Sequence, residues 1–557
     1  MGMDNKSESP WLRHYDSGVP QHLTYPDLPL FAFLEQSASR FPLRACTLFK
    51  DQAVSYARME RLSSALAAGL AAMGLEPGGR VALILPNCPQ FVLAFYAVLK
   101  AGGVVVATNP GYKAAEMAFQ LADCGAKIII ALDSLAAMLT EIGAQTDARH
   151  IILTSLSDAV RLDDLPAPVE SGNNSQHRLL DILARFDGSP RPDAAVNGDS
   201  PAVFQYSGGT TGTPKAAVGM QRNLAANTLQ FRAWLGGLEA GREVVLAAIP
   251  LFHVYGMVIA MSLSIQAGAS LVLLPNGRDI PVLLAGITRH QVTLFPGVPN
   301  LYRLINQHPD VQSQQYQLHS IKACICGSAP LLPEIKAEFE RLTGGKLLEG
   351  YGLSEAPTAT HCNPLHGENR SGSIGLPLPD VDCRIVSLED GQTELPAGQA
   401  GELLLRGPQI MSGYYQQPEE SAAALADGWL HSGDVARMAA DGYFYLVDRK
   451  KDVIKVGGLQ VWPREVEEAI ATHPAVLEAG AVGVMHPIYG EMVSAWVVRR
   501  AGRQIEAEEV RDWVRQRLAE FKVPRQVVFC DALPRSSVGK LLRRELRSWH
   551  ENSQDSF

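Results

Sequence analysis

The stretch Ser207-Gly-Gly-Thr-Thr-Gly-Thr-Pro-Lys215 carries residue types suited to holding a polyphosphate. Gly208, Gly209 and Gly212 let backbone amides approach an anion closely and turn inward as a nest. The hydroxyls of Ser207, Thr210 and Thr211 add donors, and Lys215 adds a mobile positive charge. Two familiar phosphate fingerprints fail here. A Walker-type loop needs Gly-Lys-Ser/Thr, but Lys215 stands between Pro214 and Ala216. A dinucleotide fingerprint needs a glycine where Ser207 stands, ahead of Gly209 and Gly212. Four further stretches carry chemistry. EGYGLSE presents Glu355 just past a glycine turn, and a carboxylate near polyphosphate is best used to hold Mg2+. GWLHSGDVA places Asp434 after a Ser-Gly turn, where its carboxylate could accept from two ribose hydroxyls. DRKKDVIKVGG gathers Arg449, Lys450, Lys451 and Lys455 beside a presumed domain boundary, and PRSSVGKLLRREL carries Lys540 on a Ser-Gly loop.

The elements that position these residues follow from periodicity. From residue 56 helical and strand patterns alternate: ARMERLSSALAAGLAAMG, RVALILP, PQFVLAFYAVLKAG, GVVVATN, AAEMAFQLADCG and AKIIIALD. Continuous apolar strands between helices predict a parallel sheet covered on both faces. An apolar strand from Ala202 to Tyr206 leads into the glycine-rich stretch. Residues 156 to 200, rich in Pro, Asp, Asn and Gly, read as a surface loop. VVLAAIPLF, ASLVLLP and QVTLFPGVP resume the strand pattern as a second similar unit. Short strands with turns from 374 to 448 predict a small barrel or meander. The rest reads as a compact mixed domain with helices at PREVEEAIATH and EEVRDWVRQRLAE, strands at AGAVGV and SAWVVRR, and a final Pro-Gly segment. The expected fold is therefore α/β: two doubly wound parallel-sheet subdomains plus a small β-barrel over residues 1–448, a hinge at 449–451, and a small mobile α+β domain over 452–557.

The chain has 557 residues, 46% of them hydrophobic and 19% charged, with net charge −9. That composition suits a globular protein, and the lack of a broad basic face disfavours nucleic acid as a partner. The polar start lacks an apolar h-region and reads as no secretory signal, and no apolar run of spanning length occurs. The eight cysteines form no CxxC pair, which fits reduced thiols in a cytoplasmic protein.

In this order and spacing the motifs closely resemble the adenylate-forming superfamily of acyl-CoA synthetases, adenylation domains and luciferases. Within it, NPGYKAAEMAFQLADCGAK, PLFHVYGM, EGYGLSEA, SGSIGLPLPD, GPQIMSGYYQQPEE and DRKKDVIKVGGLQVWPREVE are similar to bacterial long-chain fatty-acid CoA ligases. The resemblance implies that Ser207 to Lys215 cover the ATP β- and γ-phosphates, with Thr210 and Glu355 on Mg2+. It implies that Gly327, Ser328, Ala329 and Tyr351 enclose the adenine, with Gly352 and Ser354 beside them, and that Asp434 and Arg449 hold the ribose. Lys540 would enter the site for the first half-reaction, His253 would flank the acyl pocket, and Lys451 would be the pivot. Lys455, Gly457 and Gly458 would serve the CoA side. Two departures from the family pattern are Ser354, where Thr is usual, and Val456, where Ser is common.

What the resemblance implies is ATP-dependent conversion of a medium- or long-chain fatty acid to acyl-AMP and pyrophosphate, then to acyl-CoA and AMP. The substrates are the acid, ATP and coenzyme A, with Mg2+. Both nucleophiles belong to substrates, which suits a sequence with no Ser-His-Asp or Cys-His arrangement. An aryl-CoA ligase, an acyl-AMP ligase and a silent lipid- or nucleotide-binding relative are the alternatives. A silent relative is free to lose one of Lys215, Glu355, Asp434, Arg449 and Lys540, and all five are present. Trp234, in TLQFRAWLGG, is either a gate of the acyl tunnel or plain core. A homodimer and a peripheral contact with the inner face of the membrane are left open.

Overall fold

In the computed structural model the described residues are 9–169, 175–207, 214–486, 490–536 and 539–554. Gly208, Gly209, Thr210, Thr211 and Gly212 lie outside them, and of Ser207 only the backbone is described.

The first unit is a seven-stranded sheet that runs Gln176–Arg178, His150–Thr154, Ile128–Leu132, Arg80–Ile84, Val104–Ala107, Pro201–Ser207 and Lys215–Met220 from edge to edge. All pairs are parallel except the last. The second unit is a nine-stranded sheet whose centre, Lys346–Leu353, Ala323–Cys326, Leu294–Gly297, Val244–Ala247 and Ser270–Leu273, is parallel. Both ends of that sheet turn antiparallel, through Gln52–Ser55 at one edge and Ala356–Cys362 toward the other.

The helix Pro89–Lys100 has apolar residues all round and is buried at every position, as expected for a helix enclosed on all sides. Its Lys100 is tolerated there because the ammonium donates to Glu60 Oε1 at 2.5 Å and to the hydroxyls of Ser63 and Ser64 at 2.8 and 3.1 Å. Burial still pulls the Lys100 pKa below its ordinary value.

Two expectations are corrected, and the choice between barrel and meander is decided. Residues 156 to 200 are not only loop: Gln176–Arg178 extends the first sheet, and Leu179–Phe186 is a helix with Leu179, Leu180, Ile182 and Leu183 buried. Its apolar face packs on the helix Tyr56–Ala72, where Ile182 and Phe186 crowd Gly69. The segment from 382 to 449 is a four-stranded antiparallel meander, with no pairing between its outer strands among the described residues. The C-terminal unit holds two elements that its periodicity did not show. A parallel strand, Gln526–Cys530, pairs with Gly490–Arg499, and a helix, Arg543–Gln554, inserts Leu546 into a small apolar cluster.

Arg543 ties this unit to the boundary. Its guanidinium donates to Glu467 at 2.9 Å and faces Asp448 at 3.9 Å and Asp452 at 3.6 Å, on either side of Lys451.

Candidate active site

Two strands fix the ends of the glycine-rich stretch. Pro201–Ser207 and Lys215–Met220 pair antiparallel with Ser207 opposite Lys215. Residues 412 to 415 clamp the second strand: Val218 N donates to Gly413 O at 2.9 Å, and Tyr415 N to Ala216 O at 2.9 Å. This places the Tyr414 ring 5.7 Å from the Lys215 ammonium, which also pairs with Glu420 at 2.7 Å. The Tyr414 hydroxyl donates to Glu355 Oε1 at 2.9 Å. Lys215 and Glu355 are thus brought to one patch through Tyr414, a residue that sequence reasoning did not single out. Only the tyrosine pair of SGYY hinted at it.

Glu355 lies between the strands Lys346–Leu353 and Ala356–Cys362, and its carbonyl accepts from Met411 N at 2.8 Å. One carboxylate at a turn suits Mg2+, which prefers few protein oxygens plus phosphates and water. Thr210, the other residue expected on the ion, is outside the described residues.

Asp434 and Arg449 are cross-strand partners in the meander, with Nε and Oδ1 3.4 Å apart. Asp434 sits inside the strand Leu430–Met438 rather than in a free turn, and a strand holds a carboxylate more rigidly. The Tyr351 hydroxyl donates to its other oxygen at 2.7 Å. Burial and the Asp434 charge push the Tyr351 pKa well above its ordinary value, so the phenol stays protonated as the donor. Asp434 aligned by two neighbours, with Tyr351 beside it, is suited to a ribose and a base.

A cavity adjoins this group and is lined by Phe231, His253, Gly327, Tyr351, Ser354 and Lys540 among others. Gly352 and Ser328 also line it. Tyr255 forms part of its wall, held by donating to the carbonyls of Gly297 and Ile325 at 3.0 and 2.7 Å. Sequence reasoning passed over Tyr255 and Phe231, since nothing in their spacing tells cavity wall from core.

Lys540 comes from the C-terminal unit. Its loop closes through Ser536 N to Lys540 O at 2.9 Å and Lys540 N to Ser536 Oγ at 3.1 Å. Gly539 has φ +80°, which favours glycine at that turn. Burial lowers the Lys540 pKa, aided by the Arg449 charge and opposed by Asp434 and Glu355. His253 is pushed down to about 3 by burial and by the Lys540 charge, so its ring is neutral.

Some expected residues lie elsewhere. Trp234 does not line the cavity: it is core, 1% exposed, with its indole N–H donating to Asn363 O at 3.0 Å. Of the two readings of Trp234 the core one holds, and Phe231, one turn earlier on the same helix, lines the cavity. Ala329 is not in the lining, although its neighbours Gly327 and Ser328 are. Lys455, Gly457 and Gly458 lie exposed on the hairpin of Ile454–Val456 and Leu459–Val461, apart from the cavity lining. Lys451 is exposed at the boundary, and its pKa is lowered by desolvation and the Arg449 charge.

Residues 34–415 match the model of the AMP-binding enzyme family, and residues 465–540 match that of the AMP-binding enzyme C-terminal domain. A long-chain-fatty-acid-CoA ligase of Bacillus subtilis (strain 168) is 40% identical, over 97% of this chain and 98% of its own. One from Yersinia pestis is 36% identical, over 97% and 98%. Among solved structures, ATP-bound MatB from Rhodopseudomonas palustris superposes with a TM-score of 0.84 at 29% identity, covering 94% of this chain and 99% of its own. Among the described residues no helix is long and apolar enough to cross a membrane.

Proposed function

Since the chain belongs to the AMP-binding enzyme family, we propose that it converts a medium- or long-chain fatty acid, ATP and coenzyme A to acyl-CoA, AMP and pyrophosphate. The observation that carries this reading is the meeting of Lys540, from the C-terminal unit, with Tyr351, Ser354 and His253 in one cavity beside Asp434 and Arg449. The lining of that cavity combines the polar Lys540 and Ser354 with the apolar Phe231 and Ile259, a mixture that suits an amphiphilic acid.

In the first step the acid's carboxylate attacks the α-phosphorus of ATP, and pyrophosphate leaves. Two anions must approach, so the obstacle is charge repulsion. Lys540 and Lys215 lower it by placing ammonium groups where negative charge accumulates, which is usually the largest contribution to such a reaction. Asp434 orients the ribose hydroxyls, with Tyr351 and Arg449 fixing its two oxygens. Glu355 would hold Mg2+, which supplies charge neutralisation on phosphate oxygens when bound. His253, being neutral, adds no charge to the mouth of the acyl site. In the second step the CoA sulfur attacks the acyl carbonyl, and AMP leaves.

The two half-reactions have different nucleophiles, and one rigid placement of Lys540 does not easily serve both, so we infer that the C-terminal unit turns about Lys451 between steps. We read 449–451 as that hinge, and Lys455, Gly457 and Gly458 as groups brought to the CoA side after the turn. A fatty acid partitions into bilayers, which supports a peripheral contact with the membrane's inner face. The test is a panel of acids from acetate to oleate, with cinnamates, scored by CoA-dependent AMP formation. A maximum among the longer fatty acids is expected, and a maximum at acetate or cinnamate would overturn the assignment.

A further inference from the structure

Three elements meet at the foot of the loop that carries Lys540, and each brings charge. The strand Phe444–Arg449 brings Asp448, the residue before Arg449. The helix Pro463–Ala471 brings Glu467, and the helix Arg543–Gln554 brings Arg543, three residues past Lys540. Asp448 Oδ2 accepts from the Arg464 amide at 2.7 Å, so a carboxylate of the meander satisfies an N-terminal amide of a helix in the C-terminal unit. The Arg464 guanidinium donates back to Leu446 O at 3.0 Å. One turn along that helix, Glu467 accepts from Arg543 Nε at 3.2 Å and from Nη2 at 2.9 Å. Arg543 Nη1 in turn faces Asp448 at 3.9 Å, which closes the triangle. The side chains of Asp448 and Arg543 are 3% and 16% exposed, so their attraction is screened little by salt and water.

The loop carries this constraint to Lys540. Leu542 N donates to Pro534 O at 2.9 Å, Arg535 and Leu541 form a bridge, and Ser536 bonds Lys540 through both its amide and its hydroxyl. We propose that Asp448 is a positioning residue for Lys540: by holding Arg464 and Arg543 it sets where the C-terminal unit places the ammonium in the first half-reaction. This rests on the adenylating role read for Lys540. Asp448 does not line the cavity, so it acts on the reaction through what it holds. Its other oxygen accepts from the Arg449 amide at 2.8 Å, a second route by which it could affect the site, and the experiment separates the two.

The test is a double-mutant cycle on fatty-acid-dependent ATP-pyrophosphate exchange. Asp448→Asn keeps the side chain's shape and removes its charge. A displacement of Lys540 by a fraction of an ångström is expected to slow exchange about tenfold. In a Lys540→Ala background there is no ammonium to misplace, and the same substitution is expected to change the rate by less than about twofold. An equal loss in both backgrounds would assign the effect to Arg449 or to folding and overturns the proposal. An undiminished rate in Asp448→Asn alone also overturns it. Should Asp448→Asn fail to fold, Arg543→Lys, which keeps the charge and loses the fork, decides by the same cycle. A loss confined to the Lys540 background supports the proposal, and an equal loss in both or none in either overturns it. If the unsubstituted protein shows no fatty-acid-dependent exchange, the functional reading fails and the proposal with it. If exchange is present and the losses are equal, only the positioning role is wrong.

Discussion

The hydroxyl of Tyr351 donates to Asp434 Oδ2 at 2.7 Å, joining the strand Lys346–Leu353 of the second sheet to the antiparallel meander at the point where a ribose would be held. Removing that hydroxyl leaves the ring in place but frees the carboxylate to rotate. Tyr351→Phe is therefore expected to raise KM for ATP by about tenfold, the lower end of what a hydrogen bond to a charged group contributes. The turnover number is expected to change little. Steady-state kinetics with ATP varied decides it, and an unchanged KM would mean that Asp434 is oriented by Arg449 alone.

His361 gives a prediction about acid stability. It is fully buried beside Phe444 and Tyr351, and burial depresses its pKa to about 3. The unfolded chain, with an ordinary histidine near 6.5, binds a proton that the folded chain refuses throughout the interval between. Stability from this group is therefore complete above pH ~6.5 and falls as pH drops toward 3, by about 1.4 kcal/mol per unit. His361→Phe should flatten the acid limb of urea denaturation between pH 6 and 4. An identical slope in both proteins would show that other groups carry the acid sensitivity.

Lys451 is exposed between Asp448 and Asp452, the two carboxylates that Arg543 faces. Proline there fixes φ near −65° and removes an amide donor. Lys451→Pro is expected to retain fatty-acid-dependent ATP-pyrophosphate exchange and lose most acyl-CoA formation. Full acyl-CoA synthesis by the folded variant would place the pivot elsewhere.

Where local pattern determines local structure, the sequence was sufficient. Val81 to Ile84, Val104 to Ala107 and Ile128 to Leu132 are apolar throughout, and they became adjacent central strands. Glu355 and Asp434 could be named because each follows a glycine turn in the sequence, and Arg449 because it stands in a charge run beside the domain boundary. What escaped was set by partners far away in the chain. The strand Gln526–Cys530 exists because Gly490–Arg499 offers it an edge. The helix Arg543–Gln554 reads as a charged tail until Leu546 is seen packed beside Leu533 and Trp496. Tyr414 meets Lys215 only because residues 412 to 415 bond to a strand two hundred residues earlier. Trp234 is the converse case, since an aromatic on an amphipathic helix serves core and cavity equally well, and only the fold assigns it to Asn363 and Tyr15.

The central claim is that Lys540 enters the site to serve adenylation and then withdraws, and Lys540→Ala assayed in the two half-reactions tests it most directly. Loss of one positioned cation is expected to slow fatty-acid-dependent ATP-pyrophosphate exchange by about 100- to 1000-fold. Thioester formation from supplied acyl-AMP and CoA is expected to stay near the unsubstituted rate. Equal losses in both half-reactions, or undiminished exchange, would contradict it.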